Sequence, residues 1–235
     1  MRALASLRTK LSLLWAVSLV CGNCALSAPR FVLDVSETPK LEDWGRQALR
    51  TAKEWHPRIV NLLLSDGFVV HEQIVLRIKK SKKGIAGTSG AKITIHSNWV
   101  DSHPEDLGLV IHELVHVVQR YPKHEPGWIT EGIADYIRWA IYEGKPLKEF
   151  PVPDQPQAFR GGYQVAAGFF LWLETHRSAG IVRQLNRIQR GGGYREDWVK
   201  EKTGASWKEL WHEYRGFRRR LNRTKSSATP IDPSQ

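Results

Sequence analysis

One pentapeptide, His112-Glu113-Leu114-Val115-His116, constrains this chain more than any other stretch. On an α-helix, residues four positions apart lie on the same face, so both imidazoles of this motif can point at one metal ion. The spacing is the HExxH arrangement of zinc hydrolases, in which the glutamate beside the first histidine can take a proton from water. The rest of the chain must therefore bury and complete such a site.

The flanking residues predict that the motif lies on a buried helix. Ser102 and Glu105 have the spacing of a capping box, with Pro104 in the first turn, and the helix is expected to run to about Arg120. This helix is apolar nearly all round except at the motif itself. Buried histidine and glutamate are costly without partners, and a metal ion would satisfy all three. The alternative is a pair of core histidines with a salt-bridged glutamate.

The third metal ligand must come from another part of the chain. A metzincin would have glycine and histidine where Gln119 and Pro122 stand, so that class is excluded. His124 follows a proline in a basic loop and is expected at the surface. Glu131 is predicted as the third ligand, with Asp135, four residues on, holding a ligand histidine through its free ring N–H. The reverse assignment stays open, because either carboxylate can bind zinc.

The predicted donor set indicates a hydrolytic site. Two imidazoles and one carboxylate leave Zn²⁺ an open position for water. Glu113 is then expected to act as general base and to pass the proton to the leaving amine. The developing oxyanion needs a further donor, and Tyr163, at the start of a predicted helix, is the residue we expect there. A capping or core role for this tyrosine is the alternative.

The first 28 residues have the pattern of a secretory signal peptide. Three basic residues precede the apolar stretch 11–20, which is short for a membrane span, and small residues follow up to Ala28. Cleavage near Ala28 would give a secreted protein, extracellular or periplasmic, with no stable membrane span after processing. Lipidation and an uncleaved anchor are the alternatives. Cys21 and Cys24, the only cysteines, lie within this segment, so the mature chain is expected to lack disulfides, thiolate metal sites and a cysteine nucleophile.

The charge of the chain bears on its partners. The formal net charge is +11, and three of the basic residues belong to the predicted signal. A basic exported protein can meet nucleic acid, anionic lipid or anionic cell-wall polymer, or simply have a solvated basic surface. Because the basic runs lack interleaved aromatic residues, no specific nucleic-acid binding is predicted. A peptide or protein substrate is the expected partner, anionic wall polymer stays open, and the protein is expected to be a monomer.

Hydrophobic periodicity predicts strands in the N-terminal part, the motif helix and a mainly helical C-terminal part. Strands are predicted at 30–35, 74–80 and 92–96, the last two as a hairpin or as neighbours. Helices are predicted at 41–64, with a kink or break at Pro57, and at 127–142, 163–176, 181–190, 196–203 and 207–221, with a loop at 145–162. One domain would span 29–222, followed by a disordered tail at 223–235.

Four segments carry a family resemblance, at residues 84–96, 110–119 (VIHELVHVVQ), 127–138 (GWITEGIADYIR) and 163–172. In this order and spacing they resemble the basic secretory protein family, a group of exported, zincin-like peptidases from plants and microbes. The resemblance implies a gluzincin-like α+β fold with zinc on His112, His116 and Glu131. It also implies that the strand at 93–96 lines the cleft as an edge for extended peptide.

The hypothesis that follows is an exported zinc metallopeptidase. A basic binding or defence protein with a structural, non-catalytic zinc site is the alternative from a different class, and a zinc amidase acting on cell-wall peptide is a third. Glu113 favours catalysis, because a purely structural site has no use for a carboxylate beside its ligands.

Overall fold

The strands of the N-terminal part form one mixed sheet. The computed structural model describes residues 28–123 and 126–226. The strands are β1 (Arg30–Asp34), β2 (Gln73–Lys79), β3 (Ala86–Ser89) and β4 (Lys92–His96), in the order β1-β2-β4-β3. Alternate side chains of β2 and β4 are buried on one face, as the period-two patterns predict. The predicted α+β class is confirmed.

The sheet differs from the prediction at its edge. β2 and β4 are neighbours but parallel, so they do not form a hairpin. The unpredicted strand β3 pairs antiparallel with β4 and forms the outer edge. The expectation that the strand at 93–96 is the edge is therefore wrong. The glycines at positions 84, 87 and 90 are typical of turns, so the sequence predicts no strand there. β3 is extended because it pairs with β4, and its own residues have little propensity for a strand.

Helix α1 (Glu42–Leu62) continues through Pro57. Of the kink or break predicted at this proline, the break does not occur. Apolar residues on both sides of the proline, Ala52 and Ile59, are buried in the same core. This shared buried face stabilises the helix across the position where one backbone hydrogen bond is missing.

The helix that carries the motif begins later than the capping-box spacing predicts. Ser102 is the last residue of α2 (Ser97–Ser102), and its hydroxyl donates to the carbonyl of Asn98 at 2.8 Å. Helix α3 spans Gly108–Gln119, and Asp106 Oδ1 accepts a hydrogen bond from the Leu109 N–H at 3.0 Å. The predicted burial is confirmed, since every residue of α3 except His116 is buried. The side-chain acceptor at the start of α3 is therefore Asp106, the residue before the N-cap Leu107, and not Ser102.

The helix predicted at 127–142 has the expected extent but consists of an α-helical and a π-helical part. Residues Gly127–Asp135 form α4, and Tyr136–Tyr142 continue it as a π-helical segment. Such wide turns are uncommon and occur frequently at functional sites.

The C-terminal part is helical, as predicted. It contains α5 (Tyr163–His176), α6 (Ile181–Arg190), α7 (Trp198–Thr203) and α8 (Trp207–Ser226), and the predicted loop holds two 3-10 turns. The predicted capping box at the start of α8 is present, with the backbone N–H of Ser206 donating to Glu209 Oε2 at 2.7 Å. Because α8 reaches Ser226, residues 223–226 of the predicted tail are helical; residues 227–235 lie outside the described part.

One continuous core joins the sheet to the helices and holds α3 at its centre. Aromatic side chains from α4, α5 and α8 fill the C-terminal half of this core. Residues 1–27 of the predicted signal peptide lie outside the described residues, and its last residue, Ala28, is the first residue described. Among the helices that the structure describes, none has both the length and the apolar character needed to cross a membrane.

Candidate metal centre

Helices α3 and α4 bring three metal-binding side chains to one point. His112 Nε2 lies 3.1 Å from His116 Nε2, and Glu131 Oε2 lies 3.3 Å and 3.5 Å from these two atoms. A tetrahedral zinc ion with bonds of about 2.0–2.1 Å places its ligand atoms about 3.4 Å apart. The spacing of the three side chains fits that requirement, and the group could hold a metal ion.

The outer nitrogens of both rings are already occupied. His112 Nδ1 lies 2.7 Å from Asp135 Oδ1, and His116 Nδ1 lies 2.7 Å from Gln119 Oε1. The Gln119 amide donates to the Thr130 carbonyl at 2.9 Å, so its oxygen must accept from His116. This network assigns the ring proton to Nδ1 in both histidines and turns both Nε2 lone pairs inwards. Two acceptors at 3.1 Å repel one another unless a cation lies between them.

The electrostatics of the site also favour a positive charge. Burial alone lowers the pKa of His112, but hydrogen bonds to Asp135 and Glu131 outweigh burial and raise it. Burial pushes the pKa of Glu131 upwards, whereas hydrogen bonds from His112 and His116 outweigh this and hold it well below its usual range. Without a metal, a proton on the imidazoles takes the place of the cation. Metal binding must displace it.

The two carboxylates of α4 occupy different positions around His112. Glu131 faces the Nε2 atoms, and its side chain is part-exposed to the cleft. Asp135 is buried and touches the opposite nitrogen of His112. Of the two assignments that the spacing leaves open, this geometry favours Glu131 as ligand and Asp135 as the group that orients His112. His124 lies outside the described residues.

Glu113 has a partner that the sequence does not indicate. The hydroxyl of Thr88, on the edge strand β3, lies 2.7 Å from Glu113 Oε2 and 3.0 Å from the Glu113 carbonyl. A single hydroxyl proton can serve only one of these acceptors, and the charged carboxylate is the closer one. Thr88 and Gln119 are the two site residues that sequence analysis missed, because their partners are set by tertiary packing.

Tyr163 begins α5 at the mouth of the site. Its ring is nearly parallel to that of His112, with centroids 6.3 Å apart, and its side chain is 56% exposed. A core role is therefore excluded. Its φ of +49° is unusual for a non-glycine residue, and such strain is concentrated at functional sites. The charge on Glu131, followed by burial, raises the pKa of the Tyr163 phenol, which keeps its proton at neutral pH.

A cleft of about 1690 Å³ passes over these residues, between β3 on one side and α4 and α5 on the other. Its acidic end, where β3 and α3 begin, is lined by Trp99, Asp106, Arg138, Trp139 and Glu143. Its basic end, where β3 and α3 finish, is lined by His71, Gly90, Arg120, Tyr121 and Thr130. The centre of the cleft gives direct access to the three metal-binding side chains.

Comparison with protein-family models gives a match. A family model described as peptidases of plants and bacteria matches residues 58–214, which include β2–β4, α3, α4 and α5. No curated protein and no solved structure matches the chain.

Proposed function

We propose a function on the premise that this chain belongs to the basic secretory protein family, the peptidases of plants and bacteria. The protein is an exported, zinc-dependent metallopeptidase that hydrolyses peptide bonds with Glu113 as general base. The observation that carries this proposal is the convergence of His112 Nε2, His116 Nε2 and Glu131 Oε2 at 3.1–3.5 Å beside Glu113. Export rests on the signal pattern of the first 28 residues.

The donor set supports zinc as the metal. Two neutral imidazoles and one carboxylate form a catalytic zinc set that leaves a fourth position open. The chemistry that zinc supplies when bound is Lewis acidity, which makes water more acidic and polarises a carbonyl. His112 and His116 would hold the ion together with Glu131, while Asp135 and Gln119 keep the two rings in the productive tautomer.

Glu113 carries out the proton transfers. Its carboxylate takes a proton from the attacking water as the water oxygen bonds to the scissile carbonyl carbon. The same proton then passes to the amide nitrogen as the C–N bond breaks, which gives a carboxylic acid and an amine. The Thr88 hydroxyl, 2.7 Å from Oε2, holds the carboxylate in one orientation during both transfers.

Tyr163 stabilises the oxyanion. Its exposed phenol stands at the cleft centre, and its raised pKa keeps the O–H available as a donor at neutral pH. A donor aimed at the position where charge develops lowers the barrier more than it strengthens binding of the substrate.

The edge strand β3 supports a peptide as substrate. Among the strands in the described part of the chain, β3 pairs with β4 alone, so its outer backbone groups can pair with an extended chain. Because Thr88 lies on β3 and contacts Glu113, a peptide added to this edge passes directly by the general base.

Metal analysis and peptide digestion test the proposal together. Purified mature protein should contain one zinc per chain, lose activity with a chelator and cut a peptide library. Glu113→Gln should keep the zinc and lose cleavage, whereas Glu149→Gln, an exposed glutamate on a 3-10 turn, should change neither. Absence of zinc with all three ligands intact would overturn the proposal. Cleavage by Glu113→Gln at the wild-type rate would remove its mechanism.

A further inference from the structure

We infer that the basic end of the cleft selects peptides with an acidic side chain on the N-terminal side of the scissile bond. The inference rests on the proposed function, because it assigns a substrate class to the same cleft. Uncompensated positive charge, unpaired polar atoms and the direction of β3 support it.

Arg120 places positive charge at this end of the cleft. Arg120 follows α3 directly, one helical turn beyond His116, and its exposed guanidinium donates to the Val69 carbonyl. Arg190, close behind it, donates to the carbonyls of Val118 and Gln119. Neither arginine has a carboxylate within ion-pair distance in the described ranges 28–123 and 126–226. Arg190 also donates to the Leu63 carbonyl and to the Ser65 hydroxyl, so its donors are largely used. Arg120 donates to the Val69 carbonyl and keeps further donors for a carboxylate.

Two unpaired polar atoms belong to residues of the same wall. His71 Nε2 and Thr130 Oγ1 are buried without a hydrogen-bond partner among the described residues. Both residues line the basic end of the cleft. Buried polar atoms without partners are rare and costly in folded proteins. A carboxylate that enters this end accepts from Arg120; the threonine hydroxyl and the histidine ring nitrogen have no solvent-exposed surface and can join only after the wall of the cleft shifts.

The acidic end, by contrast, has more carboxylates than guanidinium groups. Asp106 accepts from Arg138 Nη2 at 2.7 Å, from Trp99 Nε1 at 3.0 Å and from the Leu109 N–H. Glu143 shares the same guanidinium at 3.2 Å. Two carboxylates share one guanidinium, and Glu105 also lines the cleft, so this end keeps an excess of negative charge. An acidic substrate side chain is repelled here and is recognised at the basic end.

The direction of β3 decides which part of the peptide reaches Arg120. Ala86 pairs with Ile95, next to the helix α2 that carries Trp99, so β3 begins at the acidic end. Ser89 pairs with Lys92, which pairs with Val75 near the start of β2, so β3 finishes at the end where His71 lies. A strand added antiparallel, the slightly more stable pairing, runs the opposite way. Its N-terminal residues then lie at the basic end. One helical turn, about 5.4 Å, separates His116 from Arg120, and a strand rises about 3.3 Å per residue. The contact therefore falls about two residues before the scissile bond.

Peptide libraries with aspartate, asparagine or lysine at each of the three positions before the bond test the inference. Wild type should show kcat/KM about tenfold higher for aspartate than for asparagine at one of these positions. Arg120→Gln should abolish this preference and Arg120→Glu should reverse it towards lysine. Lys53→Glu, an equal charge change on an exposed residue of α1 away from the cleft, should leave it unchanged.

Binding gives a second measurement that needs no turnover. The zinc-loaded Glu113→Gln protein should bind fluorescein-labelled aspartate peptides about tenfold more tightly than asparagine peptides, with a smaller difference in 0.5 M salt. His71→Ala in this background should reduce the difference, which keeps a test available if the Arg120 variants do not fold. Cleavage by wild type without acidic preference before the bond, or with the preference retained in Arg120→Glu, would overturn the inference. Failure of zinc-loaded wild type to cut any peptide would instead count against the proposed function, and the binding comparison would still decide the inference.

Discussion

Gln119 Oε1 lies 2.7 Å from His116 Nδ1, while the amide nitrogen of the same glutamine donates to the Thr130 carbonyl on α4. One side chain therefore connects a ligand histidine of α3 to the helix that carries Glu131. The relative position of the two ligand-bearing helices and the ring orientation of His116 are fixed by the same buried residue.

Replacement of Gln119 should weaken metal binding without touching a ligand. Gln119→Ala removes the acceptor of His116 and the hydrogen bond to the Thr130 carbonyl, so zinc affinity should fall about 10- to 100-fold. Competition with a chromogenic chelator measures this affinity. Gln119→Glu keeps an acceptor and should lose much less, and Gln47→Ala on the exposed face of α1 should lose nothing. If Gln119→Ala bound zinc with the affinity of wild type, Gln119 would not be needed to hold His116 in its metal-binding orientation.

Glu131 and Asp135 should differ in how strongly they affect zinc. Glu131→Gln removes a ligand and should abolish stoichiometric binding. Asp135→Asn leaves an acceptor for His112 Nδ1 but no charge, so a loss of about 10- to 100-fold is expected. Isothermal titration with zinc at fixed pH compares the two. A larger loss in Asp135→Asn would reverse the assignment of the two carboxylates.

Thr88 should affect turnover through Glu113. Thr88→Val keeps the side-chain shape but removes the hydroxyl at 2.7 Å from the carboxylate, so kcat should fall about tenfold, the value of roughly one charged hydrogen bond. Zinc content should stay at one per chain. Thr88→Ser, which restores the hydroxyl, should recover most of the rate; equal rates in the valine and serine variants would contradict this role.

Tyr163 should act on the transition state. Tyr163→Phe removes only the phenolic O–H, so kcat should fall about 100-fold with KM and zinc content nearly unchanged. Because the side chain is 56% exposed, the melting temperature should stay within about one degree of wild type. Steady-state kinetics of the phenylalanine variant test this role. Full activity would show that the Tyr163 hydroxyl does not stabilise the oxyanion.

His56 should make the fold sensitive to mild acid. Burial, with a smaller effect of His71, lowers the pKa of His56 to about 4, and its ring packs edge-on against Phe31. The unfolded chain, with an ordinary pKa of about 6.5, binds the proton more readily than the folded chain. Stability is therefore fully retained above pH 6.5 and falls by up to about 3 kcal/mol as the pH drops from 6.5 to 4.

Urea unfolding of wild type and His56→Met across this range measures the contribution. The difference in unfolding free energy between the two proteins should change with pH only between about 4 and 6.5. His212→Met, at an exposed position of α8, is the control and should follow the wild-type pH dependence. A pH-independent difference for His56→Met would show that this histidine does not titrate as described.

The sequence predicted the parts of the site that depend on local spacing. The four-residue spacings of His112 and His116, and of Glu131 and Asp135, define one face of a helix, and each pair lies on a helix in the structure. The residues that it missed depend on distant partners. Thr88 lies on a strand that exists because β4 pairs with it, and Gln119 finds its acceptor across a helix interface. Ser102 failed as a cap because α3 begins only at Gly108.

The π-helical segment after Asp135 shifts the helical phase of everything that follows it. A wider turn rotates the chain by a smaller angle per residue, so a helical wheel drawn at 100° per residue from Gly127 would assign the wrong side chains to the cleft. Arg138 reaches Asp106 in this altered phase. Deletion of one residue between Asp135 and Arg138 would restore ordinary α-helical geometry only by turning the guanidinium away from that carboxylate. Which side chains line this wall of the cleft therefore depends on the rotation per residue of the helix as well as on its sequence.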